Sequence, residues 1–216
     1  WARLAALSVP ALERQQLAQT LGMDKPLWQQ YGLFLWKAVQ GDFGNSIKSS
    51  KPARDLIMER LPASLELGAT AMVVSILIAI PAGVYAARNR GKTLDAAVRT
   101  FAVLGQATPS FWLGLILIYI FSVMLGWLPT AGRSGLASIV LPAVTMGWYS
   151  AAGIARLTRS SMLDVLDSEY VKLARAKGLT ETLVTWKHAF RNAAIPLLTF
   201  TVMMFVVMLG GAVVTE

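Results

Sequence analysis

Cysteine is absent from this chain of 216 residues, so neither a disulfide nor a thiolate metal site is available to it. Histidine occurs once, at His188, and a single imidazole cannot assemble a metal cluster. No Gly-x-x-x-x-Gly-Lys-Ser/Thr phosphate loop occurs. His188 has no carboxylate at helical spacing, and Ser160 and Ser161 stand beside Arg159 without a base. A catalytic set is therefore missing, and any energy source must be a partner's. Charge is scarce too: 15% of residues are charged, against about 25% in a typical soluble domain. No internal repeat or low-complexity tract breaks the chain.

What remains is apolar. Hydrophobic residues make up 55% of the chain, and several runs approach the roughly 20 residues that cross a bilayer. The expected class is an all-α, polytopic membrane helical bundle rather than an apolar soluble protein. A net charge of +8 fits nucleic-acid binding less simply than it fits Lys and Arg at the cytoplasmic ends of membrane helices. Nucleic acid is not an expected partner; the lipid bilayer is. The sequence begins at Trp1 and stops at Glu216 directly after an apolar run, and both ends read as interior to a longer protein.

Residues 1–62 are mixed and punctuated. Ser8 and Pro10 read as a helix start and Gly22 as its stop. A second segment starts at Asp24 and Pro26, with Leu27, Tyr31, Phe34, Leu35 and Val39 on one face. Residues 41–46 read as turns, and Ser50 as the cap of a short helix beginning at Pro52. The whole reads as an amphipathic layer, on the membrane surface or packed on the spans. Residues 63–216 read as the transmembrane domain with four spans: about 65–87, 99–128, 137–155 and 193–215. Pro109 is expected to break the second, and Pro81 and Pro142 lie inside spans, where neighbours can satisfy the freed carbonyls.

Basic residues set the orientation. The 88–99 loop holds Arg88, Arg90, Lys92 and Arg99, and the 156–192 segment is basic throughout, whereas 129–136 holds only Arg133. The first two are expected to face the cytoplasm and the third the outside. Residues 1–62 then lie outside despite their basic residues, which acidic ones accompany.

In the 156–192 segment, Tyr170, Ala174 and Lys177 or Gly178 fall near one helical face. Small residues at Ala174, Ala176 and Gly178 allow close approach of a groove wall, and Gly178 reads as a helix stop. On the residues alone, a docking helix and a plain basic interfacial helix both stand. Polar and aromatic residues inside spans are candidates for a translocation path: Gln106, Thr108, Ser110, Thr145, Tyr149 and Ser150. The alternative for each is a hydrogen bond to a neighbouring helix or to its own backbone. Trp112, Trp127 and Trp148 read equally as interfacial anchors, and Gly210 and Gly211 as close helix contacts. No embedded charge cluster stands out, which argues against a proton-coupled pump.

The string Glu169-Tyr170-Val171, Ala174-Arg175-Ala176-Lys177-Gly178-Leu179, His188-Ala189, Arg191-Asn192-Ala193 and Pro196 resembles the cytoplasmic signature of the dipeptide/oligopeptide/nickel permease family, the B-type subunit of ATP-binding-cassette importers. Gly41-Asp42-Phe43-Gly44-Asn45-Ser46, the run from Arg60 to Leu67, Pro109-Ser110-Phe111-Trp112, Leu125-Gly126-Trp127-Leu128-Pro129 and the run from Leu209 to Glu216 match further stretches in order. The wider importer pattern carries Glu-Ala-Ala where Lys172, Leu173 and Ala174 stand here, so the match points to the peptide branch. The resemblance implies a type I importer transmembrane domain, six spans in the complete subunit, and a coupling helix near 167–181. It also implies four kinds of partner or cargo: a second permease subunit, two cytoplasmic ATPase subunits that bind the ATP and Mg this chain does not, an extracytoplasmic substrate-binding protein, and a peptide, glutathione or nickel complex as solute. The competing reading is a self-sufficient channel or secondary transporter, which would need buried ionisable residues or a repeated half.

Overall fold

The computed structural model describes residues 26–46, 51–132 and 135–215, with only the backbone from 211 onward. The expectations at Ser8, Pro10, Gly22, Asp24, Ser50, Arg133, Gly211 and Glu216 lie outside what is described. All regular elements among the described residues are helical, and a single isolated bridge joins Asn45 and Pro52. Two units emerge, Trp1–Leu61 and Pro62–Glu216.

In the first unit, α1 (Leu27–Val39) starts at Pro26, whose fixed φ suits a helix start. Its apolar side chains do not form a core: Leu27, Trp28, Tyr31, Phe34, Trp36 and Val39 are all exposed. Positive φ at Gly41 and Gly44 makes the turns read at 41–46, and the Asp42 carboxylate accepts the Gly44 N–H at 2.9 Å.

The second helix differs from expectation. In place of a short helix at Pro52 and a separate span, α2 runs unbroken over Ala53–Arg88, through Pro62 and Pro81. Its 36 residues measure roughly 54 Å at 1.5 Å each, well beyond one bilayer crossing. Nothing but Pro62 interrupts helical propensity there, and one proline removes one hydrogen bond without compelling a stop.

In the second unit, α3 (Thr93–Ala107) and α4 (Ser110–Leu117) meet at Thr108-Pro109, both in extended conformation. The proline ring forbids helical backbone at the preceding residue, which is why the break falls there. The Thr108 hydroxyl donates to the Leu104 carbonyl at 2.7 Å. The axes diverge by 103°. A π-helical stretch, Ile118–Met124, extends α4 and ends near Gly126, whose φ is 65°.

Helix α5 (Leu136–Leu166) is longer than its expected span because residues 156–166 contain neither Gly nor Pro to stop it. Next come the short α6 (Glu169–Ala176) and α7 (Glu181–Leu183). A π-turn at Val184–Ala189 then leads into α8 (Phe190–Thr215). Three of these helical stretches have the length and hydropathy to cross a membrane, and the α3–α4 pair meets the same test when taken together.

Small residues fix the packing order. A Cβ added to Gly83 of α2 would lie 2.6 Å from the Thr158 Cβ, and one added to Gly147 of α5 would lie 2.9 Å from the Ser75 Oγ. Both contacts advance in the same sense, so α2 and α5 run parallel. A Cβ at Gly105 of α3 would collide with Ala152, while Asp95 pairs with Arg159, so α3 is antiparallel to α5. Gly114 of α4 then meets Thr145, nearer the start of α5. The broken pair therefore keeps progressing along α5 instead of doubling back. Helix α8 is antiparallel to α5 as well, with Phe200 against Gly153 and Met204 and Met208 in the core beside Met146. Gly210, expected at a close contact, faces open space within this chain.

Two apolar clusters result. The larger, around Ala71, Ala79, Met146, Ile154 and Met204, joins the long helices. The other gathers Val84, Met162, Leu166, Val171, Ala174, Val184 and Ala193 under α6.

Candidate functional site

The first candidate region is α6 and its seat. Ser168 is extended and stands at the helix N-cap position. The helix ends where Gly178 takes φ 76°, a left-handed value that glycine adopts at little cost. There the Gly178 N–H donates to the Arg175 carbonyl at 2.9 Å and the Leu179 N–H to the Ala174 carbonyl at 3.4 Å. This is the Schellman pair of bonds, and half-buried Leu179 closes it onto the apolar cluster below. The helix is thus shorter than the 167–181 expected, because the cap stops it at Ala176.

One face of α6 is committed to the chain itself. Val171 and Ala174 are buried. Ala174 was grouped with the outward face on the sequence; in the structure it points the other way, because positions 171 and 174 share the stripe that covers Val84 and Val184. Tyr170 Oη accepts a hydrogen bond from Asn192 Nδ2 at 2.7 Å, which ties α6 to the start of α8. Arg175 bonds Glu181 at 2.9 Å and the Leu166 carbonyl at 3.4 Å, so its charge is used within the chain. The Lys172 ammonium meets Glu169 at 2.8 Å, and that bond raises its pKa above the ordinary lysine value.

The opposite face presents Leu173, 56% exposed, with Ala176, Lys177 and Gly178. Lys177 makes no ion pair among the described residues. Nothing lies within 4 Å of a Cβ placed on Gly178. Leu173 was not singled out from the sequence. Its signal is an apolar residue off the Val171–Ala174 stripe of an otherwise polar helix.

The seat is braced by charge. Asp95, 1% exposed, accepts from Arg159 Nε and, at 3.0 Å, from Arg159 Nη2. It also accepts the Gly91 N–H at 2.9 Å and lies 3.8 Å from Arg99. Arg90 reaches Asp167, just before α6, at 3.7 Å. The two basic segments thus share one end of the second unit. This buried pair was missed on the sequence, where no charge cluster stood out. The available signal was a lone acid among Arg88, Arg90, Lys92 and Arg99.

The second region is the helix break. Gln106, Thr108, Ser110, Thr145, Tyr149 and Ser150 all line one cavity of about 470 Å³, closed on another side by Met204 and Met208. Six residues chosen as polar positions in apolar runs therefore converge at one place. The Thr108 and Thr145 hydroxyls donate to their own backbones, at Leu104 and Leu141. Gln106, Ser110 and Tyr149 supply the remaining polar surface, and no acidic or basic side chain lines the cavity. Trp148 is not an interfacial anchor: it packs edge-on to Phe101 at 4.8 Å, and its indole N–H is buried without a partner among the described residues. Trp112 and Trp127 are exposed. A second cavity of about 560 Å³ lies between α4, residues 129–132 and the start of α5. Among the described residues, no group of His, Cys, Asp and Glu could hold a metal ion.

A bundle of long apolar helices, with uncharged cavities at a broken helix and a small helix held at the basic end, defines a polytopic membrane protein of the transport-subunit class. Residues 79–216 match the family of binding-protein-dependent transport system inner membrane components, and the chain belongs to that family. It is 44% identical over 198 residues to the glutathione transport system permease protein GsiC of Escherichia coli K12, and equally to that of Shigella dysenteriae serotype 1. The GsiC protein of Shigella flexneri serotype 5b matches to the same extent. Each match covers 92% of this chain and 65% of the relative, so the chain spans about two thirds of the length of these relatives.

Proposed function

We propose that this chain forms most of a permease subunit of an ATP-driven importer. It pairs with a second permease, takes its solute from an external binding protein, and is powered by two cytoplasmic ATPase subunits. The solute class is a di- or oligopeptide, glutathione among them. Family membership and the permease relatives support the role. The uncharged cavity supports the solute class: amide and hydroxyl groups at Gln106, Ser110 and Tyr149 can bond a peptide backbone whatever its side chains. The basic end carrying α6 faces the cytoplasm in this reading, in keeping with the positive-inside rule.

The observation that carries the coupling role is the outward face of α6. Leu173, Ala176, Lys177 and Gly178 are exposed on a helix whose other face, cap and ion pairs are already satisfied. A rigid small-residue face at the end of a bundle suits insertion into a cleft of a soluble partner. Glu169, Tyr170, Ala174, Arg175 and Leu179 position that face instead of presenting it.

The test uses the full-length subunit co-expressed with its ATPase partners. Gly178→Trp is expected to abolish both uptake and recovery of the ATPase subunits while membrane insertion persists. The left-handed backbone adds strain of roughly 1–2 kcal/mol for most side chains. Asn tolerates that backbone, so Gly178→Asn separates strain from clash and is expected to retain more ATPase than the Trp variant. Normal uptake and normal ATPase recovery with Gly178→Trp sink the docking role.

A further inference from the structure

Gly114 and Thr145 stand at the meeting point of the two cavities. Ser110 and Thr145 line both of them. From this pair the first cavity extends toward Trp148 and Met204, and the second toward Pro129 and Ser138. One turn after Ser110, a Cβ on Gly114 would lie 3.4 Å from Thr145 Cγ2 and 3.7 Å from its Oγ1. The Thr145 hydroxyl is turned to the Leu141 carbonyl at 2.8 Å, which leaves the methyl to face α4. The wall between the cavities is therefore only a glycine, a serine hydroxyl and a threonine methyl.

Both helices that form this wall have a weak point beside it. Pro109 breaks the helix one residue before Ser110. Pro142, one turn before Thr145, deprives α5 of a backbone donor. Proline sites are where helices bend, so the two sides can part without disrupting the packing at Gly105, Gly147 and Gly153.

We propose that the Gly114–Thr145 contact is the constriction of the solute path: a septum between an outer and an inner cavity that must open for each transported molecule. This rests on the reading of the cavities as the translocation path. Uncharged walls on both sides fit a solute that passes by exchanging hydrogen bonds with amides and hydroxyls.

The spacing suits a disulfide between Gly114→Cys and Thr145→Cys, since bonded cysteines need Cβ atoms about 3.5–4.5 Å apart. The chain contributes no cysteine of its own. The full-length double variant is assembled with its partners in an otherwise cysteine-free background. Uptake is then measured after oxidation and again after reduction of the same preparation. Closure of the septum is expected to lower uptake roughly tenfold, with recovery on reduction and no loss of ATPase subunits. Quantitative cross-linking with undiminished uptake overturns the proposal, and so does failure of the pair to cross-link. A parallel arm attaches a bulky thiol reagent to Tyr149→Cys. If that blocks uptake while the disulfide does not, the path reading stands and the septum falls. If neither blocks uptake, the path reading itself falls.

Discussion

The two halves of α5 are held in opposite ways. Toward its C-terminus, Thr158 is buried against Gly83, Arg159 grips Asp95, and Met162 and Leu166 lie in the cluster that seats α6. Toward its N-terminus, Pro142 interrupts the backbone ladder, cavities lie beside Thr145, and the Trp148 N–H has no partner among the described residues. One half is braced by ions and apolar contacts; the other is surrounded by space. A helix built this way can carry a displacement from a firm end into a region able to rearrange, because the firm end resists local deformation and the loose end does not.

That contrast can be broken most forcefully at Asp95. Asp95→Ala leaves the Arg159 guanidinium, mostly buried, without its carboxylate, and orphans the Gly91 N–H. Removing one partner of a buried pair costs about 3–5 kcal/mol. The thermal midpoint of the detergent-solubilised protein is expected to fall by more than for any substitution in the cavity lining. A midpoint within a degree of the parent's would show that the firm half draws its stability from elsewhere. Replacing both partners, as Asp95→Leu with Arg159→Met, is expected to recover much of the loss, since apolar isosteres need no compensating charge.

A smaller effect is expected where the firm half meets α2. Gly83→Val puts a branched side chain where even a Cβ would lie 2.6 Å from the Thr158 Cβ and 2.7 Å from the Ala155 carbonyl oxygen. The contact atoms are backbone and a buried threonine, so they yield little. Overpacking of this kind costs about 1–3 kcal/mol. The same change at Gly114, whose added Cβ would sit at an ordinary 3.4 Å, is expected to cost less. Thermal midpoints of the two variants, compared directly, test whether packing tightness differs between the halves; equal losses would erase the distinction.

How far the sequence reveals this arrangement follows the same divide. The break at Pro109 is legible because the residue before a proline cannot be helical, and the six polar positions around it stand out against apolar runs. Gly178 is legible as a stop because glycine is the residue that closes helices in a left-handed turn. The buried Asp95–Arg159 pair is not, since its partners are 64 positions apart and either alone reads as an ordinary loop or helix-end charge. The orientation of α6 is not legible either. Eight residues give two turns, and which face is inward depends on Val84 and Val184 lying beneath it. The lengths of α2 and α5 escape hydropathy because both helices continue past their apolar windows on propensity alone.

The smallest expected effect lies in the loose half, at Trp148. Its indole N–H is buried and unbonded, and a buried donor without a partner costs roughly 1–3 kcal/mol relative to one that is paired. Trp148→Phe removes that donor while keeping an aromatic ring for the edge-on contact with Phe101 at 4.8 Å. Lost ring area opposes the relief from the missing donor. The two terms are of similar size, so the net change is expected to stay within about 1 kcal/mol of zero. At a comparably buried polar group in the firm half, loss of a partner is costly because every bond there is made. The near-neutral result at Trp148 would mark the loose half as a place where a polar group is held unbonded at the edge of a cavity. A loss of more than about 2 kcal/mol in the thermal midpoint of the Trp148→Phe protein would show instead that the N–H is bonded in the assembled subunit, and that the two halves of α5 are equally committed.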